Sequence, residues 1–250
     1  MDMKEYLAPT DIIDSDSDWV IAYADAVLQD VSDEPVAKAV RLYYAVRDGI
    51  WYDPYRAFFL PEHYKASNVL RSKRAFCVGK ASLLCALGRA AGIPTRVGFA
   101  DVRNHLATKQ FIEFLGNDLF VYHAFVEFYL MEQWVRATPA FNVELCKKHH
   151  VAPLEFNGLK DSLFHSYDAK NNKFMEYLTY HGTFADIPVN AIMSSWEDAY
   201  GKKRVAGWIR QWKETNKLGG SDADDDYKEY FSGEDVLKTS DNDNTKNQLD

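Results

Sequence analysis

Two residues have the chemistry of a nucleophile and a base. Cys77 follows the basic run Arg71–Arg74 and opens the segment CVGKASLLCALGRAAG, whose Ala and Leu content predicts a helix. A thiol at a helix start faces unpaired N–H groups and the positive end of the helix dipole. Arg74, if close, would add to that field, and both favour thiolate. Cys85 lies two turns further on among Leu83, Leu84 and Leu87, the setting of an inert core cysteine. Along a helix the two sulfurs stand about 12 Å apart and cannot pair without unwinding it.

A thiolate nucleophile needs a base, and the base needs an orienting partner. His123 lies in LFVYHAFVEFYL, residues 119–130, an aromatic and β-branched stretch that predicts a strand. Alternation would put Val121, His123, Phe125, Glu127 and Tyr129 on one face. After the short connection Met131-Glu132-Gln133, residues 134–138 return and Pro139 ends the strand. That return could bring Thr138 beside His123. Asn142 is the alternative if the chain folds back after Pro139.

The surrounding elements follow from pattern. Trp19, Tyr23, Ala26 and Val27 recur at helical spacing, capped by Asp16 or Ser17. A second helix begins at Pro35, with Val36, Val40, Tyr43 and Arg47 as its stripe. Gly92 and Pro94 stop the Cys77 helix, and residues 95–102 read as a strand. Asn157-Gly158 is a hairpin-turn signal, and residues 189–200 and 203–217 read as helices. Helices come first and antiparallel strands later, which predicts an α+β fold with one core. Residues 1–218 would form that domain and 219–250 an acidic, disordered tail.

Charge and composition narrow the function. The chain has 250 residues and a net charge of −8. The tail alone holds ten acidic residues and three lysines, so the body is near neutral. No basic surplus favours nucleic acid, and no polybasic anchor favours a membrane surface. Three cysteines do not make a disulfide framework and point to a reducing, cytoplasmic setting. The start MDMKEYLAPT lacks the basic and apolar regions of a signal peptide. Cys146, His149 and His150 have ligand spacing on a helix, but no second ligand pair accompanies them, so no metal is expected. The run Asp14–Asp18 places Trp19 where a calcium loop needs Gly. No phosphate-binding glycine motif occurs, and no cofactor is expected.

The order of these segments resembles the transglutaminase-like cysteine hydrolase and peptidase family. There a helix opens on the nucleophilic Cys. A strand with an H-x-[FW]-x-E pattern follows, and a Trp-containing strand then ends in Asp-Pro. The matching residues here are Cys77 in FCVGKASLLCALGRAAGIPTRVGFADV, His123 to Glu127 (HAFVE), and Trp134 to Pro139 (WVRATP). LYYAVRDGIWYDPY resembles the lead-in helix. Two positions depart: Ala75 stands where the family usually has Gly, and Thr138 where it usually has Asp. The resemblance implies a papain-like core with the Cys helix packed on an antiparallel sheet. It implies acyl transfer on a peptide or protein substrate through a Cys77 thioester, with His123 as acid–base and Thr138 or Asn142 supporting it. The products would be those of amide or isopeptide hydrolysis. The alternatives are transamidation and a catalytically impaired domain that binds peptide. The Cys77 backbone N–H would be one oxyanion donor. Arg71, Ser72 and Tyr52 are near it in sequence only.

Overall fold

A computed structural model describes residues 3–105, 107–164 and 174–217. The helices are α1 (Asp18–Leu28), α2 (Pro35–Gly49), α3 (Ala66–Ser72), α4 (Cys77–Ala90), α5 (Lys109–Leu115), α6 (Val143–Lys148), α7 (Val189–Trp196) and α8 (Lys202–Lys217). The strands are β1 (Trp51–Tyr52), β2 (Arg74–Ala75), β3 (Thr95–Asn104), β4 (Leu119–Leu130), β5 (Gln133–Ala137) and β6 (Met175–Phe184). A four-stranded antiparallel sheet runs β5-β4-β3-β6, and β1 and β2 form a separate parallel pair. The fold is α+β. Residues Met1–Val205 form one compact unit. Ala206–Asp250 form a second, of which the helical residues through Lys217 are described. The acidic segment 219–250 lies outside the described residues.

Helix α4 is the centre of the first unit. Residues Cys77 to Arg89 are all buried, so it presents no solvent face. It packs on β3 and β4 on one side and on α1, α2 and α3 on the other. The approach to the sheet is close at Gly88. A Cβ there would stand 2.5 Å from Thr95 Cγ2 and 2.9 Å from a Phe128 ring carbon, so glycine is required for contact. Cys85 sits fully buried at this seam beside the Thr95 hydroxyl.

The β4–β5 hairpin turns at Met131 and Glu132, both at positive φ, as a two-residue turn matched to strand twist requires. Glu127 is 3% exposed and binds two guanidinium groups. Arg96 Nε on β3 donates to it at 2.6 Å and Arg136 Nε on β5 at 2.9 Å. The carboxylate thus ties three strands together. Arg96 in turn lies over the Trp134 ring at 4.0 Å.

Several sequence expectations are corrected. Val20 and Ala24 are the buried residues of α1, while Trp19 is 62% exposed. Ser17 occupies the N-cap position but makes no side-chain cap bond. Asp14, from the same acidic run, accepts instead from the Ser67 N–H and docks α3. Asn157-Gly158 forms no hairpin. The Asn157 side-chain Oδ1 accepts from the Leu159 and Lys160 N–H groups, and Gly158 packs on Val36 of α2.

Lys80, one turn along α4 from Cys77, is fully buried, and its ammonium donates to the Arg47 and Ile50 carbonyls at 2.8 and 2.6 Å. It caps the C-terminus of α2. Burial lowers its pKa from 10.5 to about 7. The unfolded chain therefore holds this proton up to pH 10.5 while the folded chain releases it near 7, so stability from this group rises between those values. The urea midpoint of the wild type is expected to rise from pH 7 to pH 9. In Lys80→Met that rise should shrink, because Asn142 Nδ2 still satisfies both carbonyls.

Candidate active site

The position of Cys77 follows from where β5 stops. Leu130 and Gln133 flank the hairpin turn, and the pairs Phe128/Val135 and Val126/Ala137 continue from them at two-residue steps. In an antiparallel ladder such alternate residues carry the exchanged hydrogen bonds. Ala124 is next in that series, but Pro139 has ended the partner strand. Its N–H is left on a free edge, and there it lies close enough to the Cys77 sulfur to favour the thiolate. The N–H groups of Cys77 and Val78, at the open start of α4, also point at the sulfur.

Those three donors favour the thiolate, yet the thiol is pushed up to about 11 because burial outweighs them. Cys77 is 8% exposed, and Arg74 makes no contribution to the shift. The expected low-pKa thiolate is therefore not the resting form. The water-excluding walls come from distant segments. Tyr52, Tyr64 and Tyr200 lie near enough that charge on Cys77 would raise their own phenols. Of Tyr52, Ser72 and Arg71, Tyr52 is the one whose phenol a charge on Cys77 would raise. The Ser72 hydroxyl bonds the Val69 and Arg74 carbonyls, and Arg71 donates to Asn68 at the surface.

His123 is the residue before Ala124 and is 4% exposed. Neither ring nitrogen makes a hydrogen bond. Its ring meets Phe164 edge-on at 5.0 Å, Phe164 packs on Phe141, and Phe141 on Tyr52. Burial alone lowers its pKa to about 3. Thiol and imidazole are thus both held neutral by the same dehydration.

Thr138 follows Ala137, which pairs with Val126, so strand alternation puts it across from Phe125 on the His123 face. It is 1% exposed. Its carbonyl accepts from the Tyr43 hydroxyl at 3.1 Å, while its own hydroxyl lies by the Tyr177 phenol and lowers that group's pKa. Asn142 is fully buried and committed elsewhere. Its carbonyl accepts from the Tyr52 N–H at 2.7 Å, and its amide donates to the Arg47 and Ile50 carbonyls at 2.6 and 2.8 Å. It locks the chain after Pro139 onto the end of α2.

Two features of this region have no local signal in the sequence. Ser162 bridges Ala137 from a distant loop, and its buried hydroxyl lies by the Tyr43 phenol. At Tyr122 a bulge interrupts β4: Val102 pairs with Phe120, but Ala100 pairs with His123. Phe120, rather than Val121, is therefore in phase with His123. Among the described residues no His, Cys, Asp and Glu group is arranged to hold a metal ion. Among them, too, no helix is long and apolar enough to cross a membrane.

The imidazole is a stability liability that grows in acid. Its folded pKa is depressed from 6.5 to about 3, so its contribution is lost as pH falls below 6.5. His123→Phe keeps the ring and removes two unpaired buried nitrogens. It is expected to match or exceed wild-type stability at pH 7. Between pH 7 and pH 5 it should lose about 2 kcal/mol less than wild type in denaturant titrations.

Residues 21–139 match the family model of the transglutaminase-like superfamily, a span that holds Cys77, His123 and Thr138. No curated protein matches the chain. Among solved structures, a putative cysteine protease from Cytophaga hutchinsonii aligns with 74% of this chain at 17% identity and a TM-score of 0.43. A putative protease from Parabacteroides distasonis aligns with 54% at 17% identity and a TM-score of 0.34. The chain spans 55% and 25% of those two proteins. Over residues 21–139 the chain is similar to the transglutaminase-like superfamily.

Proposed function

We propose that the domain is a thiol-dependent amide hydrolase or acyltransferase, with Cys77 as nucleophile and His123 as acid–base. The observation that carries this reading is the seat of the Cys77 sulfur. It lies on the N–H of Ala124, next to His123 in the chain, at the open end of α4 and away from water.

The neutral resting pair sets the order of proton movement. A thiol cannot attack an amide carbonyl well, so His123 takes the S–H proton as the S–C bond forms. The negative charge passes to the carbonyl oxygen, and the Cys77 N–H at the helix start is a donor for it. The imidazolium then gives its proton to the departing amine as the C–N bond breaks. Water, or an acceptor amine, releases the thioester by the reverse proton path. The Thr138 hydroxyl, on the His123 face of the sheet, accepts from the ring N–H once His123 is charged. A neutral acceptor supports that charge less than a carboxylate would.

A second reading, a peptide-binding descendant of the core, draws on Thr138 in place of an acid and on the unbonded His123 ring. The two separate on covalent capture. A set of dipeptide vinyl sulfones is incubated with the full chain and followed by intact mass and peptide mapping. The enzyme reading predicts one adduct, on Cys77, absent in Cys77→Ala and slowed about 100-fold or more in His123→Ala. Labelling confined to Cys85 or Cys146, or a rate indifferent to His123, would leave the binding module. Thr138→Val removes the hydroxyl that would support the imidazolium, so it is expected to label about tenfold more slowly.

A further inference from the structure

The residue before His123 has an unusual backbone. Tyr122 has φ +57°, a left-handed conformation that a bulky residue rarely adopts without support. It is the extra residue of the β4 bulge. On the other side of β3 a second bulge faces it. Phe99 pairs with Gly182 and Ala100 with Tyr180, so His181 is the extra residue of β6. Gly182, next to it, is at φ +93°.

The two bulges are joined across β3. The Tyr122 and His181 rings stack at 4.2 Å with 15° between planes. Asp101, on the intervening strand, accepts from the Tyr122 N–H at 3.0 Å and contacts His181 Nε2 at 2.7 Å through the same carboxylate oxygen. The chain just ahead is held from elsewhere. The Val121 N–H donates to the Tyr200 hydroxyl at 2.9 Å, and its carbonyl accepts from Trp196 Nε1 at 3.0 Å. His123 makes no side-chain hydrogen bond of its own. Its aim therefore rests on its backbone, and that backbone leaves the strained Tyr122.

Resting on the acid–base reading of His123, we propose that Asp101 is a positioning residue: its carboxylate, braced by His181, holds Tyr122 in the left-handed bulge that aims His123 at Cys77. The role is mechanical. It needs an acceptor for the Tyr122 N–H, and it becomes dispensable if residue 122 takes positive φ without strain, as glycine does.

The test compares Asp101→Ala, Asp101→Asn, Tyr122→Gly and Asp101→Ala/Tyr122→Gly with wild type. Two readouts are the rate of Cys77 capture by the fastest dipeptide vinyl sulfone and the ring ¹H–¹⁵N signals of His123, assigned with His123→Phe. Asp101→Ala should label about tenfold or more slowly, with the His123 ring signals shifted. Asp101→Asn keeps the acceptor and should stay within about threefold. The double variant should recover most of the rate and the wild-type ring signals. Wild-type rates and unshifted signals in Asp101→Ala overturn the proposal. So does a double variant that stays slow or does not fold, because Asp101 would then be needed for more than the bulge. If wild type itself gives no Cys77 adduct, the acid–base reading fails on its own, and the ring signals still decide whether Asp101 positions His123.

Discussion

The arrangement depends on one close approach, of the N–H of Ala124 to the side chain of Cys77. It joins the start of the most buried helix to the middle of the longest strand. It exists because β5 stops two residues too early to pair with Ala124, and Pro139 accounts for that stop. A longer β5 would take the same N–H into the ladder and displace the sulfur. Asn142 secures the break by binding the chain after Pro139 to the carbonyls at the end of α2. Lys80 caps those same carbonyls from α4 itself. Helix, strand end and lead-in helix are thus fixed to one another within one turn of the nucleophile.

Exclusion of water is the second governing condition, and it acts in opposite directions on the two reactive groups. It raises the thiol and lowers the imidazole, so the resting state carries no ion pair. Helix-start and strand-edge N–H groups oppose the effect on sulfur but do not overcome it. The same dryness leaves both ring nitrogens of His123 without partners. Unpaired buried groups of this kind cost stability, and an imidazole kept in that state marks a place where packing gives way to chemistry.

Much of this was legible in sequence where short-range pattern and site chemistry coincide. The Cys77 helix, the strand after it, and the hairpin carrying His123 and Thr138 stand close to their expected limits. Local residues specify each: Gly92 and Pro94, then a β-branched run, then Pro139. What escaped the sequence depends on distant partners. Strand β6 is half exposed and carries no clean alternation. Helices α3, α5 and α6 are of six or seven residues, too short for a periodic stripe. The exposed Trp19 shows that spacing alone does not say which stripe of a helix meets the core. The helix position of Cys77 predicts an acidic thiol, but burial by the folded chain sets its pKa, and no local pattern around Cys77 states that burial. The Tyr122 bulge is equally hidden, since it is held by Asp101 and His181 on two other strands.

The central claim is that Cys77 rests as a thiol and His123 as a neutral imidazole, and that the thiol is activated only when a carbonyl arrives. Thiolate absorbance near 240 nm, taken as the pH-dependent difference between wild type and Cys77→Ser, tests it directly. The account predicts no Cys77 thiolate signal at pH 7, with the signal rising toward pH 11. A thiolate signal already full at pH 6 to 7, and lost when His123 is replaced, would show a preformed ion pair and contradict it.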